Sequence, residues 1–183
     1  MAQEKNDKKT EQNPDDMSII TEDELDSQFK YEILKEPGGE NFLRCMQCGT
    51  CTASCPVKAI DPDYNCRRII RRALIGDKEH VLNSKFIWMC STCYSCYERC
   101  PQDVKITELM FALKNIAVKH GFIHPSIKAQ VTLLEKFGAL SEISEFENRM
   151  REKYGLPKIK QSPDRVKKVL EKENIKEIIE GDS

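Results

Sequence analysis

Eight of the nine cysteines fall into two runs of one spacing: C-M-Q-C-G-T-C-T-A-S-C-P from Cys45 to Pro56, and C-S-T-C-Y-S-C-Y-E-R-C-P from Cys90 to Pro101. Both read C-x₂-C-x₂-C-x₃-C-P and lie 45 residues apart in register. Cys45, Cys48, Cys51, Cys55 and Pro56 thus answer to Cys90, Cys93, Cys96, Cys100 and Pro101. Thiolates are soft ligands suited to iron–sulfur clusters. Two-residue spacers let one loop aim three of them at three irons of a cubane, leaving the fourth iron to a distant ligand. A disulfide framework suits a small secreted domain instead. Structural zinc uses C-x₂₋₄-C pairs and has no need of a third cysteine at the same spacing followed by Cys-Pro. The chemistry expected is one-electron transfer through two 4Fe–4S clusters, with no catalytic side chain.

The same ligand run occurs in two-cluster bacterial ferredoxins, where the last cysteine of each run serves the cluster built by the other. On that pattern Cys45, Cys48, Cys51 and Cys100 hold cluster 1, and Cys90, Cys93, Cys96 and Cys55 hold cluster 2. Gly49, between two ligands, lets backbone N–H groups come close to a cluster. Its counterpart is Tyr94, so the two surroundings differ.

The elements that must position these loops read as helices. A strand-based ferredoxin needs period-two alternation between the runs, and the 34 residues from Pro56 to Met89 have none. Asp61-Pro62 reads as a helix start, Ile69, Ile70, Ala73 and Leu74 share one side of a helix over Cys66–Ile75, and Gly76 stops it. Asp77 begins a second short helix through Val81 and Leu82. Ile106–Val118 places Leu109, Leu113, Ile116 and Ala117 at helical spacing, with Gly121 beyond. Before the runs, T-E-D-E at Thr21 has the form of a capping box, leading to a helix with Phe29, Ile33 and Leu34 that Pro37-Gly38-Gly39 ends. After them come helices over Ser126–Phe137, Ser144–Tyr154 and from Ser162, with a break at Asn174. The expected fold class is all-α, an alpha-helical ferredoxin with two cluster-binding loops flanked by docking helices. Residues 1–20 form a disordered tail, 21–124 the two-cluster domain and 125–183 a helical segment for partner docking.

Composition agrees with a small, metal-stapled core. The chain has 183 residues, 39 % hydrophobic and 32 % charged. Eight ligand bonds would supply stability that so modest a core lacks. The net charge of −1 is unevenly spread: residues 1–40 carry 12 acids and 5 bases, residues 41–157 carry 17 bases and 12 acids. A positive middle suits clusters that add negative charge, and it lacks the aromatic–basic interleaving of a nucleic-acid surface. No run approaches the roughly 18 apolar residues of a membrane span. Nine cysteines without a secretory signal point to the reducing cytoplasm.

Four further groups have ordinary readings. Cys66 is expected to be a packed core residue rather than a ligand. Arg67, Arg68, Arg71 and Arg72 form like-charge i, i+4 pairs whose repulsion of a few tenths of a kcal/mol must be offset by cluster charge, acidic neighbours or a partner. Trp88, Tyr94 and Tyr97 are expected to shield cluster 2 from water. His80, His120 and His124 have no ligand spacing and read as structural or surface residues.

With both runs and the helical spacer in view, the chain resembles the C subunit of heterodisulfide reductase from methanogenic archaea. The resemblance rests on R-C-M-Q-C-G-T-C-T-A-S-C-P, F-I-W-M-C-S-T-C-Y-S-C-Y-E-R-C-P, the R-R-I-I-R-R-A-L-I-G helix and the later Y-G-L-P, about residues 25–160 in all. It implies an electron-transfer subunit for methanogenesis. Single electrons would pass through two cubanes from the flavin- and iron–sulfur-bearing subunit of the complex to its heterodisulfide-cleaving subunit, which reduces the coenzyme M–coenzyme B heterodisulfide. A hydrogenase or formate dehydrogenase would stand upstream. The chain has no G-x-G for a flavin and no C-C-G of the disulfide-cleaving subunit, so a non-catalytic relay within an oxidoreductase complex is the expected role. The alternative is the iron–sulfur subunit of a flavin dehydrogenase feeding quinone, but residues 1–44 hold no cysteine for the extra plant-type cluster of succinate-type subunits. A free ferredoxin would have no use for the long flanking segments.

Overall fold

The computed structural model describes residues 20–180, and every regular element among them is helical. The tail expected over residues 1–20 lies outside that range except for Ile20. The chain divides into two compact units, which separate between Phe122 and Ile123.

The first unit opens with a single 3-10 turn, Glu22–Glu24. The Thr21 hydroxyl and the Glu24 carboxylate close the capping box expected there, but it caps this turn alone. The first α-helix, α1, starts later at Phe29–Lys35. Its Phe29 and Ile33 are fully buried against the unit, contributing about 1.5–3 kcal/mol each. Glu32 on the same helix accepts from Lys78 Nζ at 2.8 Å and meets His120 Nε2 at 2.7 Å. Burial alone would raise its carboxyl, yet these two partners hold it below the usual glutamate value. Phe29 and Ile33 of this segment are therefore spent on the segment's own unit.

A second 3-10 turn, Phe42–Arg44, leads into the first cysteine loop. Then follow α2 (Thr50–Ala53), α3 (Pro56–Ile60) and α4 (Cys66–Ile75). The start of α4 differs from the sequence expectation. Asp61 ends α3, and Asn65 is the N-cap of α4, its side chain accepting from the Arg68 N–H at 3.0 Å. Pro56 had already opened a helix at the first cysteine run, so Asp61-Pro62 is spent on the turn between two helices. Gly76 ends α4 at φ +95°, and a Cβ there would stand 2.4 Å from the Asp26 carbonyl oxygen. Only glycine fits both the left-handed backbone and that close approach.

Short helices α5 (Lys78–Leu82) and α6 (Lys85–Met89) reach the second cysteine loop, which contains α7 (Ser95–Glu98). Asp77 precedes α5 but does not cap it with its carboxylate, which pairs with His80 Nδ1 at 2.6 Å and Arg72 Nε at 3.6 Å. Helix α8 (Ile106–Lys119) is the spine of the unit. Leu109, Leu113, Ile116 and Ala117 are all fully buried, as their spacing requires, beside Phe42, Ile70, Leu82 and Ile87.

The second unit holds α9 (Pro125–Phe137), α10 (Glu145–Lys153), α11 (Pro163–Lys172) and α12 (Ile175–Glu180). Ser144 caps α10 in a full capping box, and the break at Asn174 falls at φ +50°. Helices α9 and α11 pack together. Leu140, Phe146 and Tyr154 are well exposed.

Candidate iron–sulfur centres

The sequence repeat is also a backbone repeat. Gln47 and Gly49, either side of Cys48, have φ of 60° and 86°; Thr92 and Tyr94, either side of Cys93, have 51° and 61°. Alternating left-handed residues turn successive N–H groups to one side, the nest that serves anionic and iron–sulfur sites. One turn of helix follows in each run, α2 presenting Cys51 and α7 presenting Cys96. Tyr94 accepts the same left-handed backbone as Gly49 despite its side chain. The difference lies in the ring, which is 43 % exposed and meets Tyr97 edge-on at 5.7 Å.

Two small cavities result. The first is lined by Cys45, Cys48 and Cys51 together with Cys100, and the second by Cys90, Cys93 and Cys96 together with Cys55. Among the described residues no three His, Cys, Asp or Glu side chains converge as a single metal ion requires; the thiols surround cavities instead. Four thiols round the first hollow and five, with Cys66, round the second, and no imidazole or carboxylate in either lining, make a donor set that fits a cubane rather than a lone hard cation.

The sulfurs are unequal in setting. Cys48 is exposed, and the Thr50 hydroxyl at 3.4 Å, aided by the Thr50 N–H, lowers its thiol below the ordinary value. Its counterpart Cys93 is lowered by the Ser95 N–H and then the Ser95 hydroxyl. Burial pushes Cys51 up to about 11 and Cys96 upward as well. The thiolate is the ligand form, so the buried pair depends on the charge of a bound metal to lose its protons.

Several residues near these cavities carried no sequence signal. Ile106, the first residue of α8, lines both cavities and is 2 % exposed, an apolar wall common to the two. Thr107 beside it stands 3.6 Å from Cys96 Sγ. Tyr64 is the aromatic residue lining the second cavity, packed edge-on to Phe86 at 5.7 Å. Trp88, Tyr94 and Tyr97, expected to shield cluster 2, are not among the residues lining the second cavity. They flank the loop, whereas Tyr64 reaches in from the turn before α4. Cys66 is buried as expected but also lines the second cavity, a fifth thiol there. Burial pushes its thiol far up. Of the arginine cluster, Arg67 lines the first cavity and Arg72 pairs with Asp77, so two of the expected sources of compensation appear on different faces. His80 and His120 pair with Asp77 and Glu32, and His124 caps α9.

Comparison with known proteins agrees with this geometry. Residues 41–104 match the family model described as a 4Fe-4S dicluster domain. The chain is 40 % identical to the C subunit of the H(2):CoB-CoM heterodisulfide,ferredoxin reductase of Methanothermobacter thermautotrophicus, over 76 % of this chain and 74 % of that one. It is 39 % identical to the second C-type iron-sulfur subunit of the CoB--CoM heterodisulfide reductase of Methanocaldococcus jannaschii, over 77 % and 78 %. With the C subunit of the Ferredoxin:CoB-CoM heterodisulfide reductase of Methanosarcina mazei it shares 37 %, over 76 % and 87 %. Among the described residues no helix is long and apolar enough to cross a membrane.

Proposed function

The chain belongs to the C-subunit family of heterodisulfide reductases, and from that premise we propose that it is the electron relay of such a complex. Cys45, Cys48, Cys51 and Cys100 would hold one 4Fe–4S cubane and Cys90, Cys93, Cys96 and Cys55 the other. Each cubane supplies a one-electron couple at the potential its surroundings set. The chain's own residues do the rest. The thiols fix both groups, α8 keeps water from between them through Ile106, and the enclosing helices keep the setting apolar. Electrons would enter from a flavin- and iron–sulfur-bearing subunit, with a hydrogenase or formate dehydrogenase upstream. They would leave to another subunit that cleaves the coenzyme M–coenzyme B disulfide in the cytoplasm.

The observation that carries this reading is the pair of thiol-lined cavities sharing one side chain, Ile106, as a wall. Two one-electron centres placed so suit a conduit, while the two-electron cleavage of a disulfide belongs to another subunit. The second unit, with Leu140, Phe146 and Tyr154 exposed, offers apolar surface for docking.

The test has two parts. Anaerobically purified chain should contain about eight irons and eight sulfides. It should show no heterodisulfide reduction alone, yet restore electron flow from the flavin-bearing subunit to the disulfide-cleaving one when added back. Zinc without acid-labile sulfide, or disulfide reduction by the single chain, would sink the proposal.

A further inference from the structure

We propose that the two centres are unequal: the Cys45, Cys48, Cys51, Cys100 site takes an electron more readily than the Cys90, Cys93, Cys96, Cys55 site, because Arg67 and Gln47 stand beside it. This inference rests on the relay reading and gives that relay a direction.

Potential is set by cluster type, net charge, hydrogen bonds to sulfur and exposure to water. Cluster type and ligand set are the same at both sites. Exposure is matched ligand for ligand: Cys51 is 7 % and Cys96 8 % exposed, while Cys48 and Cys93 are both open. Charge and hydrogen bonding remain, and both favour the first site.

Arg67 is the one charged side chain lining the first cavity, and the second cavity has none in its lining. A nearby cation favours the reduced, more negative state. Hydrogen bonds follow the same order. At the first site Gln47 Nε2 donates to Cys45 Sγ at 3.3 Å and the Val104 N–H to Cys100 Sγ at 3.4 Å. Thr50 and Thr52 hydroxyls stand 3.4 and 3.9 Å from Cys48 and Cys51. A coordinating sulfur has no proton to give, so the Thr50 hydroxyl becomes a donor, while the Thr52 hydroxyl gives its proton to Asn65 Oδ1 at 3.0 Å. At the second site the Ser95 and Thr107 hydroxyls stand 3.6 Å from Cys93 and Cys96, and the Ser95 N–H and Ser91 hydroxyl also act on Cys93, so the two sites differ at their first and last cysteines rather than at the middle pair. Among the described residues no hydrogen bond reaches the sulfurs of Cys55 or Cys90.

The sequence repeat shows where this difference arises. Gln47 is replaced by Thr92 at the matching position, and no arginine helix stands over the second run as α4 stands over the first. An electron shared within the chain therefore settles at the first site. Downhill transfer runs from the second site to the first, placing the donor's contact on the side of the second run and the acceptor's on the side of the first. One electron leaves one site as the other gains it, with no proton or co-reactant needed for balance.

Redox titration of the full chain loaded with both clusters, followed by electron paramagnetic resonance, should resolve two one-electron steps. Arg67→Gln is expected to cut the electron-sharing ratio in favour of the first site about tenfold, which lowers the upper step by about 59 mV and leaves the lower one in place. Thr50→Val should move the upper step in the same direction. Thr107→Val, beside Cys96, should lower the lower step and widen the gap. If Arg67→Gln or Thr50→Val shifts the lower step, or if neither variant shifts the upper one, the inequality is overturned while the relay stands. A chain that loads fewer than two clusters overturns the relay and the inequality together.

Discussion

Cys66 is chemically the equal of the four thiols it joins around the second cavity, and its place in the chain is what separates it from them. It lies on the ten-residue helix α4, outside both repeated runs and their left-handed turns, and burial pushes its thiol far up. Cys66→Ala is expected to keep about eight irons per chain and to lose about 1 kcal/mol of stability. Cys55→Ala, at the same cavity, should lose the cluster of the Cys90 run. Iron assay and thermal melting of the two variants separate the cases, and a Cys66→Ala chain with half its iron would make Cys66 a ligand. Gly49 and Tyr94 offer a second comparison. A Cβ on Gly49 would meet Arg67 Cδ at 3.7 Å and Nε at 4.0 Å, ordinary contact, so space does not demand glycine there. The φ of +86° does exact a cost, and Gly49→Ala should lower stability by about 1–2 kcal/mol without loss of iron. Loss of the first cluster in that variant would mean that close approach to the site, and not φ, selects the glycine.

Helix α8 joins the two centres by presenting Ile106 to both cavities. Ile106→Ala removes the common wall, and the loss of stability should be about 2–5 kcal/mol, as for a buried apolar truncation. Water admitted between the sites should also speed bleaching of both clusters in air, read as decay of visible absorbance. Unchanged decay at both sites would deny Ile106 its barrier role. The existence of α4, α8 and α9 was legible in the sequence because apolar residues recur at helical spacing and Gly76, Gly121 and Gly138 stand at or just past their ends. The ligand runs were legible because their spacing is local. The N-cap of α4 was not, since Asp61-Pro62 looks the same whether it opens a helix or turns between two. Helices as short as α2 and α7 have too few residues to carry a period. Tyr64 is a lone aromatic between Asp63 and Asn65, and only the folded chain brings it beside Cys66 and Cys90. Ile106 reads from sequence as one more core position of α8; its place between two sites depends on contacts that bring both cysteine runs against the helix start.

The cysteines and the buried apolar residues are unequally shared between the two units. All nine cysteines lie before Phe122, and so do most of the buried apolar residues. The second unit contributes no lining residue to either thiol cavity and exposes Phe146 and Tyr154 at 67 % and 70 %. Large exposed aromatic side chains on a unit free of redox chemistry are what a docking module in a larger complex would present. Within that unit α11 packs on α9, so a cut after Gly155 would strip one helix from another and disturb folding as well as docking. The cleaner division is the natural one. A chain ended at Phe122 retains all eight proposed ligands, Tyr64, Arg67 and the whole of α8. It is expected to keep about eight irons and both redox steps, yet to fail to co-elute with the flavin-bearing and disulfide-cleaving subunits on size exclusion. Substituting Phe146→Glu in the full chain should weaken co-elution in the same direction with no change in iron content. Full assembly of both altered chains would remove the docking role from the second unit and leave the first to hold its partners by itself.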